Sequence, residues 1–261
     1  MKISIIGAGA MGGAIVEGLL KSHYVDAESI CVSDASADAV KRFADKGVKT
    51  TTDNCVAAKS GDMVIVVVKP WLVERVLLQV KDVMDYGRQQ LVVVAAGIKG
   101  EQLKTWMQKD GQLPAMHLAI PNIAIAQLAS MTFLVAVEAK PQHTEQVKAL
   151  FDAMGQTLLT EEHLLGAGTT LASCGIAYAM RYVRAASEGG VELGFKADQA
   201  KDIVLQTMEG AVKLLQATGL HPEAAIDLVT TPGGVTIKGL NEMEHNGFTS
   251  SVIKGLKAGA K

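Results

Sequence analysis

Three glycines near the amino terminus, Gly7, Gly9 and Gly12, stand in the pattern G-x-G-x-x-G within Ile6-Gly7-Ala8-Gly9-Ala10-Met11-Gly12. Glycines so spaced can let a chain turn tightly, bring its backbone against a pyrophosphate, and pack the next helix closely on a strand. The first N–H groups of that helix, at the positive end of its dipole, would then face the phosphates. Plain strand-turn-helix packing in a chain rich in alanine and glycine uses the same pattern. Here the β-branched run Ile3-Ser4-Ile5-Ile6 precedes it and a helical pattern, Gly13–Leu20, follows. Asp34 lies about 20 residues on, where an acid can bond a ribose. Together these features predict a dinucleotide site.

A second loop, Thr230-Thr231-Pro232-Gly233-Gly234-Val235-Thr236, lies between two helical patterns. The proline sets one φ, two glycines free the next two residues, and the following helix opens with unpaired N–H groups. That is an anion-binding nest at a helix N-terminus, suited to a substrate carboxylate. The Thr236 hydroxyl adds a donor for a substrate nitrogen or oxygen. Taken alone, a threonine capping a helix after a glycine turn accounts for the stretch better.

The remaining composition excludes several chemistries. Six histidines are scattered without H-x-x-x-H or His/Cys clustering, so no metal site is predicted. Cys31, Cys55 and Cys174 are far apart and read as buried free thiols in a reducing, cytoplasmic compartment. A net charge of −2 with no basic block argues against nucleic acid or an anionic membrane surface as partner. No apolar run reaches the ~18 residues of a membrane span. The chain enters its fold directly as a strand, leaving no room for a signal peptide. With 49% hydrophobic but only 4% aromatic residues, the core must be aliphatic and alanine-rich.

The elements that must position these loops follow in order. Strands are predicted at Ser29–Ser33, Val48–Thr51, Met63–Val68 and Leu91–Val94, with helices at 37–46 and 71–82 and a short one capped by Asp53 or Asn54. The Met63–Val68 run is continuous and β-branched, as in a strand buried on both faces. Strands alternating with helices imply right-handed βαβ units and a parallel sheet. Ligands on such sheets sit outside the carboxyl ends of the strands, where Gly7–Gly12, Asp34, Lys69-Pro70 and Ala95–Gly97 should converge. Met116–Ile120, Thr132–Val137 and Thr157–Leu159 read as further strands of that sheet.

From about 161 the pattern turns helical. Residues 162–188 are apolar on most sides of a helical wheel, as in a helix buried all round. Residues 198–217 form an amphipathic helix carrying Ile203, Val204, Thr207, Met208, Ala211 and Leu215 near one face, and 222–229 and 235–258 read as helices. The predicted fold class is an α/β Rossmann-type N-terminal domain, 1–160, plus an all-α C-terminal domain, 161–261. So much apolar helix points to a homodimer sharing helices or faces. A compact all-α domain closing on its own Rossmann partner is the alternative.

The string Thr-Thr-Pro-Gly-Gly-x-Thr-x-x-Gly-Leu-x-x-Met-Glu at 230–244 closely resembles the signature of the pyrroline-5-carboxylate reductases. So do Gly7-Ala8-Gly9-Ala10-Met11-Gly12, Val68-Lys69-Pro70, Ala96-Gly97-Ile98, Pro121-Asn122 and Ser173-Cys174-Gly175-x-Ala177-Tyr178, in the family's order across the whole chain. The resemblance implies a Rossmann domain with a helical dimerisation domain, and the NAD(P)H-linked reduction of 1-pyrroline-5-carboxylate to proline, a small-molecule substrate. It implies pyrophosphate binding over Ile6, Gly7, Ala8, Gly9, Ala10 and Met11, and adenosine ribose near Asp34 and Asn54. Nicotinamide would lie against Val67, Val68, Lys69, Pro70, Ala95, Ala96 and Gly97. Substrate carboxylate would meet the N–H groups of Gly233, Gly234, Val235 and Thr236, and the Thr236 hydroxyl would bond the ring nitrogen as the catalytic contact. Lys69 is a rival acid, better read as part of the nicotinamide loop. In a family dimer the site forms between one Rossmann domain and helical elements that include the partner's, and dimers can assemble further.

The chain departs from the family's pattern at four places. Leu118 stands where an arginine is usual, Ile176 replaces a proline, and Arg184 replaces an acid. Asp34 lies where NADPH-preferring members carry small or basic residues. A carboxylate there suits free ribose hydroxyls and repels a 2′-phosphate, so of NADP and NAD the reading leans to NADH. The first three changes fit a divergent reductase or a paralogue with altered substrate. Alternatives to the named reaction are a related imine or oxo-acid reductase, and a non-catalytic cofactor-binding regulatory paralogue.

Overall fold

The computed structural model describes residues 1–260; Lys261, the last residue of the predicted second domain, lies outside the described residues. By packing, the chain divides into two units, Met1–Ser173 and Cys174–Lys261. The composition changes near 161, but Leu165 is buried with the apolar residues of the first unit and Gly168 lies tight against the Phe133 ring. Residues 161–173 therefore belong to the first unit by contact.

That unit is built on one eight-stranded sheet. Its strands are β1 (Ile3–Ile6), β2 (Ile30–Ser33), β3 (Lys49–Thr51), β4 (Met63–Val66), β5 (Gln90–Val93), β6 (Ala115–Ile120), β7 (Ser130–Glu138) and β8 (Gly155–Leu159), in the order β3-β2-β1-β4-β5-β6-β7-β8. The first six run parallel. Every residue of β1, β2, β4 and β5 is buried, the result of covering both faces of a parallel sheet with helices. On one face α1 (Ala10–Ser22), α2 (Ala37–Ala44) and α6 (Pro141–Asp152) contribute Ile15, Leu19, Phe43, Leu150 and Phe151. On the other, α3 (Asn54–Ser60), α4 (Pro70–Val80) and α5 (Gly100–Met107) contribute Ala57, Leu77, Val80, Leu103 and Met107.

The expectation of a wholly parallel sheet is corrected at its far edge. β7 runs antiparallel to β6, with Ala119 opposite Leu134 and Ile120 opposite Phe133, and β8 then runs parallel to β7. Residues 121–129 between β6 and β7 hold only the 3-10 turn Ile123–Gln127. A parallel return needs a crossover of a dozen or more residues, usually a helix. Helices α5 and α6 add to the helices expected from the sequence, each burying one face against the sheet, Leu103 and Met107 from α5 and Val147, Leu150 and Phe151 from α6.

The second unit is helical: α8 (Gly175–Glu192), α9 (Ala197–Thr218), α10 (Pro222–Leu228), α11 (Val235–His245) and α12 (Phe248–Gly259). Two expectations are corrected. Residues 162–188 are not one helix buried all round. A short helix, α7 (Leu165–Gly168), and a π-helical stretch, Thr169–Cys174, precede α8, and α8 has no buried residue within the chain. Residues 235–258 are not one helix either: they break between α11 and α12 at Gly247, whose φ of 79° ends the helical path. α8 and α9 lie close enough that a Cβ on Gly190 would come within 2.9 Å of the Ala200 Cβ. Among the described residues no helix is long and apolar enough to cross a membrane.

Candidate active site

The strand order reverses direction between β1 and β4, and a crevice opens at such a switch point outside the carboxyl ends of the strands. Both strands end in predicted cofactor residues. Ile6 closes β1, its carbonyl accepts the Val67 N–H at 2.8 Å, and Gly7 donates to the Ser33 carbonyl at 2.8 Å. A Cβ on Gly7 would collide with the Val67 carbonyl, and one on Gly12 with the Gly7 carbonyl. Gly7 also sits at φ 109°, where side chains are strained. Gly9 differs: a Cβ there would meet nothing within 4 Å. Two glycines thus serve packing, and the third leaves open backbone at the N-cap of α1, with Ala10 exposed and Met11 half-buried beside it. This cradle fits a dinucleotide pyrophosphate.

Asp34 follows β2. Its Oδ2 accepts the Ala8 N–H at 2.7 Å and its Oδ1 the Ser36 N–H at 2.9 Å. The carboxylate therefore ties the end of β2 to the glycine-rich loop. Asn54 opens α3, where Asp53 is the cap, accepting from the Cys55 and Val56 N–H groups. The Asn54 Oδ1 accepts from the Ser33 hydroxyl at 2.8 Å and its Nδ2 donates to Gln79 Oε1 at 3.0 Å. That bridge between β2 and α4 had no signal in the linear sequence.

Val67, Val68, Lys69 and Pro70 continue from β4, with Lys69 the N-cap of α4 and Pro70 its first residue. The Val94 N–H bonds the Val66 carbonyl at 2.8 Å, which aligns Ala95, Ala96 and Gly97 beside them at the end of β5. Lys69 is exposed, as are Ala96 and Gly97. The structure thus brings Ile6–Met11, Asp34, Asn54, Val67–Pro70 and Ala95–Gly97 to the same ends of adjacent strands.

It also joins two motifs far apart in sequence. The Ser173 hydroxyl donates to the Pro121 carbonyl at 2.9 Å, and the buried Asn122 accepts the Ala124 N–H at 3.0 Å while its own N–H donates to Ser130 Oγ at 3.1 Å.

The Gly233–Thr236 loop belongs to the second unit. Gly233 has φ 69°, and Gly234 is the N-cap of α11. The Gly234 N–H is spent on the Thr231 carbonyl at 3.0 Å, which closes the turn. Of the four donors expected there, Gly233, Val235 and Thr236 remain to bind an anion, the last two being first-turn N–H groups that no helix satisfies internally. Thr236 is exposed and its hydroxyl makes no hydrogen bond among the described residues, so it does not cap the helix.

A family model described as pyrroline-5-carboxylate reductase dimerisation matches residues 162–261, and one described as NADP oxidoreductase, coenzyme F420-dependent, matches residues 2–98. Pyrroline-5-carboxylate reductase of Arabidopsis thaliana is 32% identical over 100% of this chain and 93% of its own length. Pyrroline-5-carboxylate reductase 2 of Dictyostelium discoideum is 32% identical over 99% of this chain and 91% of its own. Pyrroline-5-carboxylate reductase 1 of the same organism is 34% identical over 97% of this chain, which spans about half (48%) of that relative. The chain belongs to the pyrroline-5-carboxylate reductase family. Among solved structures, a pyrroline-5-carboxylate reductase from Coxiella burnetii superposes with a TM-score of 0.88 at 28% identity, covering 99% of this chain and 96% of that one. A Plasmodium falciparum pyrroline carboxylate reductase with NADP bound shares the fold, with a TM-score of 0.89 at 21% identity over 100% of this chain and 95% of its own.

Within this reductase the departures from the family's pattern have visible consequences. Leu118 is buried in the sheet. Arg184 pairs with Glu188 at 3.1 Å, one turn along α8 and in solvent. Ile176 lies in the first turn of α8, directly after the π-helical stretch, a place where a proline would also be tolerated.

Proposed function

We propose that this reductase converts 1-pyrroline-5-carboxylate to L-proline by hydride transfer from NAD(P)H, the last step of proline biosynthesis. The observation that carries the reading is the 230–244 loop, which keeps its signature residues with free N–H groups and an unpartnered Thr236 hydroxyl. Whole-chain similarity to named reductases supports it.

The cofactor supplies the hydride. Gly233, Val235 and Thr236 N–H groups, with the positive end of α11, would bind the substrate carboxylate. This fixes the ring. As the C=N carbon becomes sp³, its nitrogen gains electron density. The Thr236 hydroxyl, as donor to that nitrogen, would stabilise the change and orient the face to be reduced. An imine that arrives protonated already carries the proton of the amine product, so no strong acid is needed. Lys69 then serves through its backbone, as the cap of α4 in the nicotinamide loop. Asp34 favours the free ribose hydroxyls, and we take NADH as the preferred cofactor. Of the three thiols expected to be buried only Cys31 is, Cys55 and Cys174 being partly exposed. All three are free, which fits a reducing cytoplasm, and the family's dimerisation segment fits a homodimer, with dimers able to assemble further.

The test is oxidation of NADH and of NADPH, separately, with 1-pyrroline-5-carboxylate, followed at 340 nm. Turnover with both and faster use of NADH is expected. Cofactor binding without turnover of this imine would sink the proposed reaction, and faster use of NADPH would overturn the preference.

A further inference from the structure

Ala8, in the middle of the glycine-rich loop, is held by opposite charges on its two sides. The Asp34 carboxylate accepts its N–H at 2.7 Å, and Arg42 Nη2, from α2, donates to its carbonyl at 3.0 Å. The guanidinium lies over the Phe43 ring, 4.6 Å from its centroid. It also occupies the space left by a missing side chain on the first turn of α1, since a Cβ on Gly13 would collide with Nη2. Arg42 is exposed and forms no ion pair among the described residues.

A guanidinium near the positive end of a helix is relieved by an anion, a charge that Asp34 across Ala8 supplies in part and a bound phosphate would complete. Its planar fork matches a phosphate with two parallel hydrogen bonds. Asp34 cannot play that part. Its charge repels phosphate, and each of its oxygens already accepts a backbone N–H. With Asp34 read as the residue facing the adenosine ribose, Arg42 is the cation bonded to the other side of the same Ala8 peptide.

We infer that Arg42 is a specificity-determining residue for the cofactor: it receives the 2′-phosphate of NADPH and lets this reductase use that cofactor despite Asp34. The inference rests on the reading of the first unit as a dinucleotide site. Adenosine 2′,5′-bisphosphate and 5′-AMP differ only in the 2′-phosphate and need no turnover, so calorimetric binding of each isolates the contact. Arg42→Gln should lower affinity for the bisphosphate relative to 5′-AMP by about ten-fold or more, one charge-assisted pair's worth. Arg42→Lys should restore part of the ratio. An equal loss for both nucleotides would overturn the inference, leaving Arg42 as a support of the glycine-rich loop. Unchanged affinity for both nucleotides would also overturn it, placing the 2′-phosphate elsewhere. Failure of the parent protein to bind either nucleotide would instead overturn the dinucleotide reading itself.

Discussion

At the scale of the residue, the role proposed for Thr236 can be tested with the least structural consequence. Its side chain is exposed and holds no hydrogen bond that the fold needs, so truncating it removes a donor and little else. Thr236→Ala should lower kcat by roughly ten-fold or more, about one lost hydrogen bond in the transition state. Thr236→Ser should recover most of it. Steady-state kinetics on folded variants checks both, and an unchanged kcat in the alanine variant removes the hydroxyl from the mechanism. The glycines divide by a different logic. Gly7 and Gly12 are required by neighbouring backbone, whereas a Cβ on Gly9 would meet no neighbour within 4 Å. All three look alike in sequence, and only their surroundings separate them.

At the scale of the element, β6 meets α6 through a polar contact inside the core. His117 on β6 is fully buried, with Nε2 3.1 Å from Thr144 Oγ1 on α6 and Nδ1 without a partner. Burial, and secondarily the nearby His143, lowers its pKa from 6.5 to about 4. The folded protein therefore holds His117 neutral while the unfolded chain protonates it below pH ~6.5. Above that pH its titration contributes nothing to the pH dependence of stability. As pH falls from 6.5 towards 4 the unfolded state gains protons and stability is lost, by an amount on the order of 3 kcal/mol at the lower end. Thermal melts across that range should show the fall in Tm, and His117→Gln should flatten it. An equal slope in that variant would assign the acid sensitivity elsewhere. Thr144, Val147, Leu150 and Phe151 form the buried face of α6 at helical spacing.

At the scale of the whole molecule, the second unit has little interior of its own. Ala200 and Ala225 are its buried apolar residues among those described, while Met180, Leu193, Ile203, Leu205, Val212 and Phe248 are exposed. Apolar surface on this scale marks an association face, and residues 162–261 match the family's dimerisation model. Leu205 and Val212 of α9 are each about half exposed, at 49% and 50%. Leu205→Asp with Val212→Asp should convert the protein to monomer in sedimentation and lower its Tm. Retention of the parent's mass would put the interface on another face.

The strands were legible in the sequence, because β-branched runs such as Met63–Val66 suit a parallel strand buried on both faces. So were the glycine-rich loop and the 230–236 loop, where backbone geometry restricts the residue types allowed. The order of the sheet, the antiparallel turn at β7 and the break of the C-terminal pattern at Gly247 follow from packing and connection length rather than from composition. Tertiary structure alone set Arg42 against Ala8, Asn54 between Ser33 and Gln79, and Ser173 on Pro121. Such contacts join residues whose spacing along the chain carries no period, so only the folded backbone brings them within hydrogen-bonding reach.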